Sequence, residues 1–228
     1  KMRLKDQLMF VGMLILALSF AVCAQDRQVI DQKSITCKMD FFEAPTLPIT
    51  GGIQVSPSSG TKWLTLQIFY TPALSYEAGS GKRLRWLDDL SVSAHIIAPA
   101  KKEYGGSVLL SGTQVLWSVA EDGQTHQVFF AVPPQIFRRY CELNKFSRSV
   151  AQSFPVMVEF RNKNQVLLAR YIHSPKNMKN AGRAFQRIMS SNVGFMKLPS
   201  AILPKDRTPW NLVEVDAFDL SKNTVEGK

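Results

Sequence analysis

The chain has 228 residues, 45% of them apolar, with 28 Lys and Arg against 18 Asp and Glu and a formal net charge of +10. This composition is that of a globular chain and excludes a disordered one. Three cysteines with no CxxC spacing exclude a dithiol redox motif and a thiolate zinc site.

Lys1, Arg3 and Lys5 precede an apolar run of 15 residues, Leu8 to Val22, and Val22-Cys23-Ala24 fits a small-residue cleavage rule. Residues 1–24 are therefore expected to be a signal peptide, with Gln25 as the mature N-terminus. A retained anchor is the competing reading, but a membrane span takes about 20 apolar residues, and the run ends before Gln25-Asp26-Arg27. Phe20 and Val22 are bulky for a lipidation signal at Cys23, and no Glu stands where a pilin leader places one. The expected location is the periplasm, the outer-membrane surface or the exterior.

Removal of the signal leaves 204 residues, read as a single β-sandwich domain over 25–228. From Ile35 to Phe160 apolar residues recur at period 2 between turn residues, the pattern of half-buried antiparallel strands. Ile35, Cys37, Met39 and Phe41 share one face of the first strand. Leu64, Leu66, Ile68 and Tyr70 share one face of "KWLTLQIFY", and Leu90, Val92, Ala94 and Ile96 one face of "DDLSVSAHIIA". Further strands are predicted at Ser107–Leu110, Gln114–Val119, His126–Val132, Phe154–Phe160 and Gln165–Ile172, with turn-rich connections such as Ser56–Lys62, Glu77–Arg83 and Ala98–Gly106. Such short, regularly spaced strands indicate a sandwich, with a barrel as the alternative. Pro133 to Phe146 reads as one or two helical turns crossing between sheets.

One amphipathic helix is predicted near the C-terminus, over 174–191, with Ser174 as N-cap, Pro175 in the first turn and Asn192 to Gly194 ending it. At 100° per residue, Lys176, Lys179, Arg183 and Arg187 fall in one stripe and Met178, Ala181, Phe185, Ile188 and Met189 in the opposite one. Lys176 and Lys179 would stand at the positive end of the helix dipole, where an acid would be the stabilising choice. An extended segment follows, then a last strand at Leu212–Phe218 and a polar tail from Ser221 to Lys228.

Motifs for chemistry are scarce. His95, His126 and His173 are isolated, so no metal site is expected, and no cofactor. No G-x-S-x-G elbow is present, and Ser59-Gly60-Thr61-Lys62 lacks the rest of a phosphate loop. The acidic doublets Asp88-Asp89 and Glu121-Asp122 read as strand starts or turns rather than paired catalytic carboxylates. Trp63 and Trp117 are expected in the core, whereas Trp86 and Trp210, beside Arg85 and Arg207, are candidate ligand-stacking aromatics at the surface. Cys37 and Cys141 remain after cleavage and form either a disulfide or two buried thiols.

Charge rises above this background. Between Phe160 and Lys205 lie nine basic residues and no Asp or Glu, whereas the rest of the mature chain carries 16 basic against 17 acidic residues. Lys176, Lys179, Arg183 and Arg187 are accordingly the candidate partner-binding residues, set against the plainer reading of a solvated helix face. Nucleic acid is not expected as the partner, since neither interleaved aromatics nor a reading motif accompanies the charge.

In "ITCKMDFFEAPTLPITGGIQVSPSSGTKWLTLQIFY" and "LRWLDDLSVSAHIIAP", together with the signal, the chain resembles secreted proteins of type IV pilus-associated gene clusters in Verrucomicrobia. The resemblance implies an immunoglobulin-like antiparallel β-sandwich and a pilus-associated or cell-surface role without catalysis. The function expected is that of an accessory or interaction component of a cell-envelope or type IV pilus-associated assembly. Its partner would be an envelope protein or an anionic glycan or surface. The alternative is a carbohydrate-binding module for acidic glycans. No oligomeric state follows from the sequence.

Overall fold

The computed structural model describes residues 29–45, 62–77, 79, 81–143, 145–176, 178–191 and 194–211. The expected signal peptide, nearly all of the Ser56–Lys62 turn, the strand at Leu212–Phe218 and the polar tail lie outside these residues.

Two sheets face each other. The first has the order β1 (Thr36–Glu43), β2 (Lys62–Tyr70), β5 (His126–Val132) and β9 (Leu203–Pro204). The second runs β7 (Leu167–His173), β6 (Val156–Arg161), β3 (Trp86–Pro99), β4 (Ser107–Ala120) and β8 (Met196–Leu198). Neighbouring strands are antiparallel except β8, which lies parallel to β4. The antiparallel β-sandwich expected from the alternation is therefore the observed fold.

Period-2 patterning dictates what fills the space between the sheets. Leu64, Leu66, Ile68 and Tyr70 of β2 meet Leu90, Val92, Ala94 and Ile96 of β3 in one core, joined by Val128, Phe130 and Val132 of β5. Each such aliphatic or aromatic side chain withdrawn from water contributes about 1.5–3 kcal/mol. Two short helices, α1 (Pro134–Tyr140) and α2 (Arg148–Ala151), connect β5 to β6 across one end. Phe41 makes edge-to-face contacts there with Phe137, Phe146 and Phe154.

The segments expected at Ser107–Leu110 and Gln114–Val119 are one continuous strand, β4. Ser111-Gly112-Thr113 looks like a turn in sequence, but it runs straight along the ladder opposite His95, Ala94 and Ser93. Its glycine serves close packing instead. A Cβ at Gly112 would stand 2.0 Å from the Ile202 carbonyl oxygen, and Ile202 N–H donates to the Ser111 carbonyl at 3.1 Å. Residues 196–204 thus pass from an edge of one sheet to an edge of the other, bonding as β8 to β4 and as β9 to β5.

The amphipathic helix near the C-terminus, α3, spans Ala181–Ser190 rather than the predicted 174–191. Asn180 is the N-cap, its side chain accepting from the Arg183 N–H at 3.4 Å. Pro175 to Met178 instead closes a separate turn, Met178 N–H donating to the Pro175 carbonyl at 2.9 Å. The later start leaves Lys176 and Lys179 outside the helix, on the turn that leads into its N-cap. Phe185 and Ile188 then pack on Ile97, Leu109 and Met157, which point out of the sandwich from the five-stranded sheet. The helix adds a third layer.

Gly112→Ala is expected to lower stability by about 1–3 kcal/mol, because the obstacle is backbone and cannot rotate away. Urea unfolding with an unchanged slope checks this; wild-type stability in the variant would contradict the packing of the 196–204 segment over β4.

Candidate functional site

The apolar side of α3 is consumed by the sheet. Ala181, Phe185 and Ile188 are buried, and Arg183 and Arg187 are exposed on the other side. Lys176 and Lys179 are exposed as well, on the turn before the N-cap. The four candidate residues therefore do not form one helical stripe: two belong to α3 and two to its approach. Among the described residues, none of the four pairs with a carboxylate. The Arg187 guanidinium lies 5.5 Å from the centre of the Phe195 ring, a cation–π distance that leaves its charge uncancelled. Lys197 Nζ donates to the Met189 carbonyl at 2.9 Å, placing a cation at the negative end of the helix.

Not all of the basic window is available. Glu159 stands one residue before it, on the outer face of β6, and binds two of its nine cations. Arg161 donates to one carboxylate oxygen at 2.9 Å and Arg170 to the other at 2.8 Å. Burial by itself would raise the Glu159 carboxyl; the hydrogen bonds from Arg161 and Arg170 outweigh it and hold the group below the usual carboxylate range. Lys205, at the other end of the window, is buried. The exposed charge thus concentrates on α3 and its approach.

On the same outer face, His95 Nδ1 lies 2.9 Å from Ser111 Oγ and Ser93 Oγ 2.9 Å from Thr113 Oγ1. Burial lowers the His95 pKa, with Arg161 and Arg170 acting in the same direction and Glu159 against it. Burial thus favours the neutral imidazole. Among the described residues no group of three or more His, Cys, Asp or Glu is placed to hold a metal ion, and no helix is long and apolar enough to cross a membrane.

Cys37 and Cys141 are free thiols. Cys37 pairs with Ile68 in the four-stranded sheet, and Cys141, following α1, bridges Ala100 at the end of β3. Burial pushes both thiols up to about 12, so neither is a thiolate nucleophile at neutral pH.

The tryptophans are distributed otherwise than expected. Trp117 is 55% exposed rather than in the core, and Trp63 is half-buried. Trp210 packs edge-on to Trp63 and against Phe129, so it covers the outer face of the four-stranded sheet and does not join Trp86. Trp86, 54% exposed, lies on β3 in the opposite sheet. It lines an open depression of about 570 Å³ with Glu77, Arg85, Asp88 and Ser118. A second groove, of about 510 Å³, lies between β1 and the end of β7 and is bordered by Lys38, His173 and Lys176.

A family model matches residues 24–225, and the chain belongs to that family. In fold it is similar to a crystal structure of a protein from Akkermansia muciniphila, with a TM-score of 0.54 and 15% identity over 82% of this chain and 94% of that one. That organism is a member of the Verrucomicrobia, the group of the sequence resemblance; at 15% identity the likeness carries the fold alone. No curated protein matches the chain.

Glu159→Gln is expected to cost about 1–2 kcal/mol at pH 7, discounted because both guanidinium groups keep some solvent contact. Since the folded-state pKa lies below the unfolded value of about 4.3, the wild-type advantage is present above that pH and disappears as pH falls through the folded value. Urea titrations of both proteins from neutral to acid pH read this, and a difference independent of pH would refute the ion-pair assignment.

Proposed function

We propose that this protein is an exported, non-enzymatic component of a cell-envelope or type IV pilus-associated assembly, and that α3 and its approach form the docking surface for an acidic partner protein. The observation that carries the reading is the exposure of Lys176, Lys179, Arg183 and Arg187 with no neighbouring carboxylate among the described residues. A helix that needed only to be soluble would gain by interspersing acids at i, i+4 spacing. This one has none from Lys176 to Ser190. Arg183 and Arg187 project from a helix held by its own apolar side, so they meet a partner with part of the ordering cost already met. The signal peptide expected over residues 1–24 supports export, and the resemblance to pilus-associated secreted proteins supports the assembly. Free thiols of high pKa and isolated histidines support a role without catalysis.

An acidic glycan clasped between the basic window, Trp86 and Trp210 is less well supported, because Trp210 is occupied by Trp63 and Phe129.

Capture of envelope proteins by the immobilised mature chain tests the reading. The variant with Lys176, Lys179, Arg183 and Arg187 all changed to Gln is expected to lose at least about tenfold in capture. Wild-type capture is expected to collapse between low salt and about 1 M NaCl, where the Debye length is about 3 Å. Retention of every partner by the Gln variant would sink the proposal.

A further inference from the structure

The far end of the β3–β4 ladder departs from its regular pleat. Through most of the pair, even-numbered residues such as Leu90, Val92, Leu110 and Leu116 point into the core. At Asp89, whose φ is +51°, and Trp117 opposite it, the pairing lapses for one position, with the same register on either side. Beyond that point the facing reverses: Leu87 and Val119 turn toward the core, and Trp86, Asp88 and Ser118 turn to solvent. A left-handed φ costs a non-glycine residue energy and is tolerated best by Asp and Asn. Its effect here is to turn Trp86 to the outer face that Trp117 already occupies, both more than half exposed at one end of the sheet.

Around Trp86 the depression has a defined chemistry. Asp88 accepts from Ser118 Oγ at 2.8 Å, which leaves a carboxylate with further acceptor sites. Arg85 supplies donors. Glu77 lines the same depression and meets Arg83, which lies outside it, at 3.4 Å. The lining holds one more carboxylate than guanidinium, is rich in both donors and acceptors, and presents an exposed aromatic ring.

We propose that this depression is a binding site for a neutral glycan, with the Trp86 indole stacked on the apolar face of a hexose ring and Asp88, Ser118 and Arg85 hydrogen-bonded to its hydroxyls. A flat ring with C–H groups on one face and hydroxyls at its rim matches an aromatic floor with polar walls. An acidic sugar would bring a charge that the two carboxylates oppose, and an aliphatic ligand would leave the polar walls unsatisfied. Trp117 is three residues along β4 from Ala120, the ladder partner of Trp86, an offset of about 10 Å. That offset makes Trp117 a second contact for an oligosaccharide rather than for a single sugar. This site is separate from the basic surface on α3 and does not depend on it.

Binding of the mature chain to an array of neutral oligosaccharides, followed by tryptophan-fluorescence titration with those retained, tests the proposal. Wild type is expected to bind at least one neutral oligosaccharide with an affinity that changes less than about twofold up to about 1 M NaCl, as befits an uncharged ligand. Trp86→Ala is expected to weaken binding by at least about tenfold, Trp86→Phe by less, and Asp88→Ala to weaken it as well. The α3 Gln variant is expected to bind as wild type, which separates failure here from failure of the docking surface. An array with no neutral glycan retained, or Trp86→Ala binding unchanged, would overturn the proposal. So would release of shortened oligosaccharides, which would make Glu77 and Asp88 a reacting pair rather than a binding wall.

Discussion

The seating of Phe185 and Ile188 on Ile97, Leu109 and Met157 determines which side of the C-terminal helix meets water. Those three sheet residues occupy positions that in a plain two-layer sandwich face solvent, and their apolar character requires a cover. The helix supplies that cover, and its rotation about its own axis is thereby fixed. Arg183 and Arg187 point outward because the residues that alternate with them are held inward.

The same sheet face also subtracts from the basic surface. Glu159 engages Arg161 and Arg170, and through Arg170 it ties the edge strand β7 to β6. What a partner meets is therefore a compact group on α3 and its approach rather than a basic belt along the C-terminal third. At the opposite end of the sheet, the reversal at Asp89 helps to form a surface of contrasting character, aromatic and without excess positive charge. Under the two proposals above, one chain would hold an acidic protein and a glycan together.

Much of the fold was legible because period 2 survives in strands with one wet face. The inward sets of β1, β2 and β3 follow directly from alternation. The two-strand reading of β4 failed because Ser111-Gly112-Thr113 has the composition of a turn, while the real demand on Gly112 comes from Ile202, about 90 residues away. The helix start was misplaced because Ser174-Pro175 is as good a local signal as Asn180, and only the unfavourable lysines of the intervening turn hinted at the answer. The site was legible in part. Arg183 and Arg187 emerged from periodicity and charge, and Trp86 from its neighbour Arg85. Trp117 was misplaced because its strand looks central, although its position next to inward Leu116 puts it on the outer face. The pairing of Glu159 with Arg170 depends on the β6–β7 register, which no local pattern encodes.

The central claim is that α3 and its approach are the surface a partner covers. Chemical footprinting of the mature chain with and without solubilised envelope proteins tests it most directly, using a lysine-acylating reagent for Lys176 and Lys179 and an arginine-specific dicarbonyl for Arg183 and Arg187. The account predicts that these four side chains become protected while Arg207, exposed near the opposite sheet, keeps its labelling. Unchanged labelling of all four on a chain that has bound its partner would contradict it.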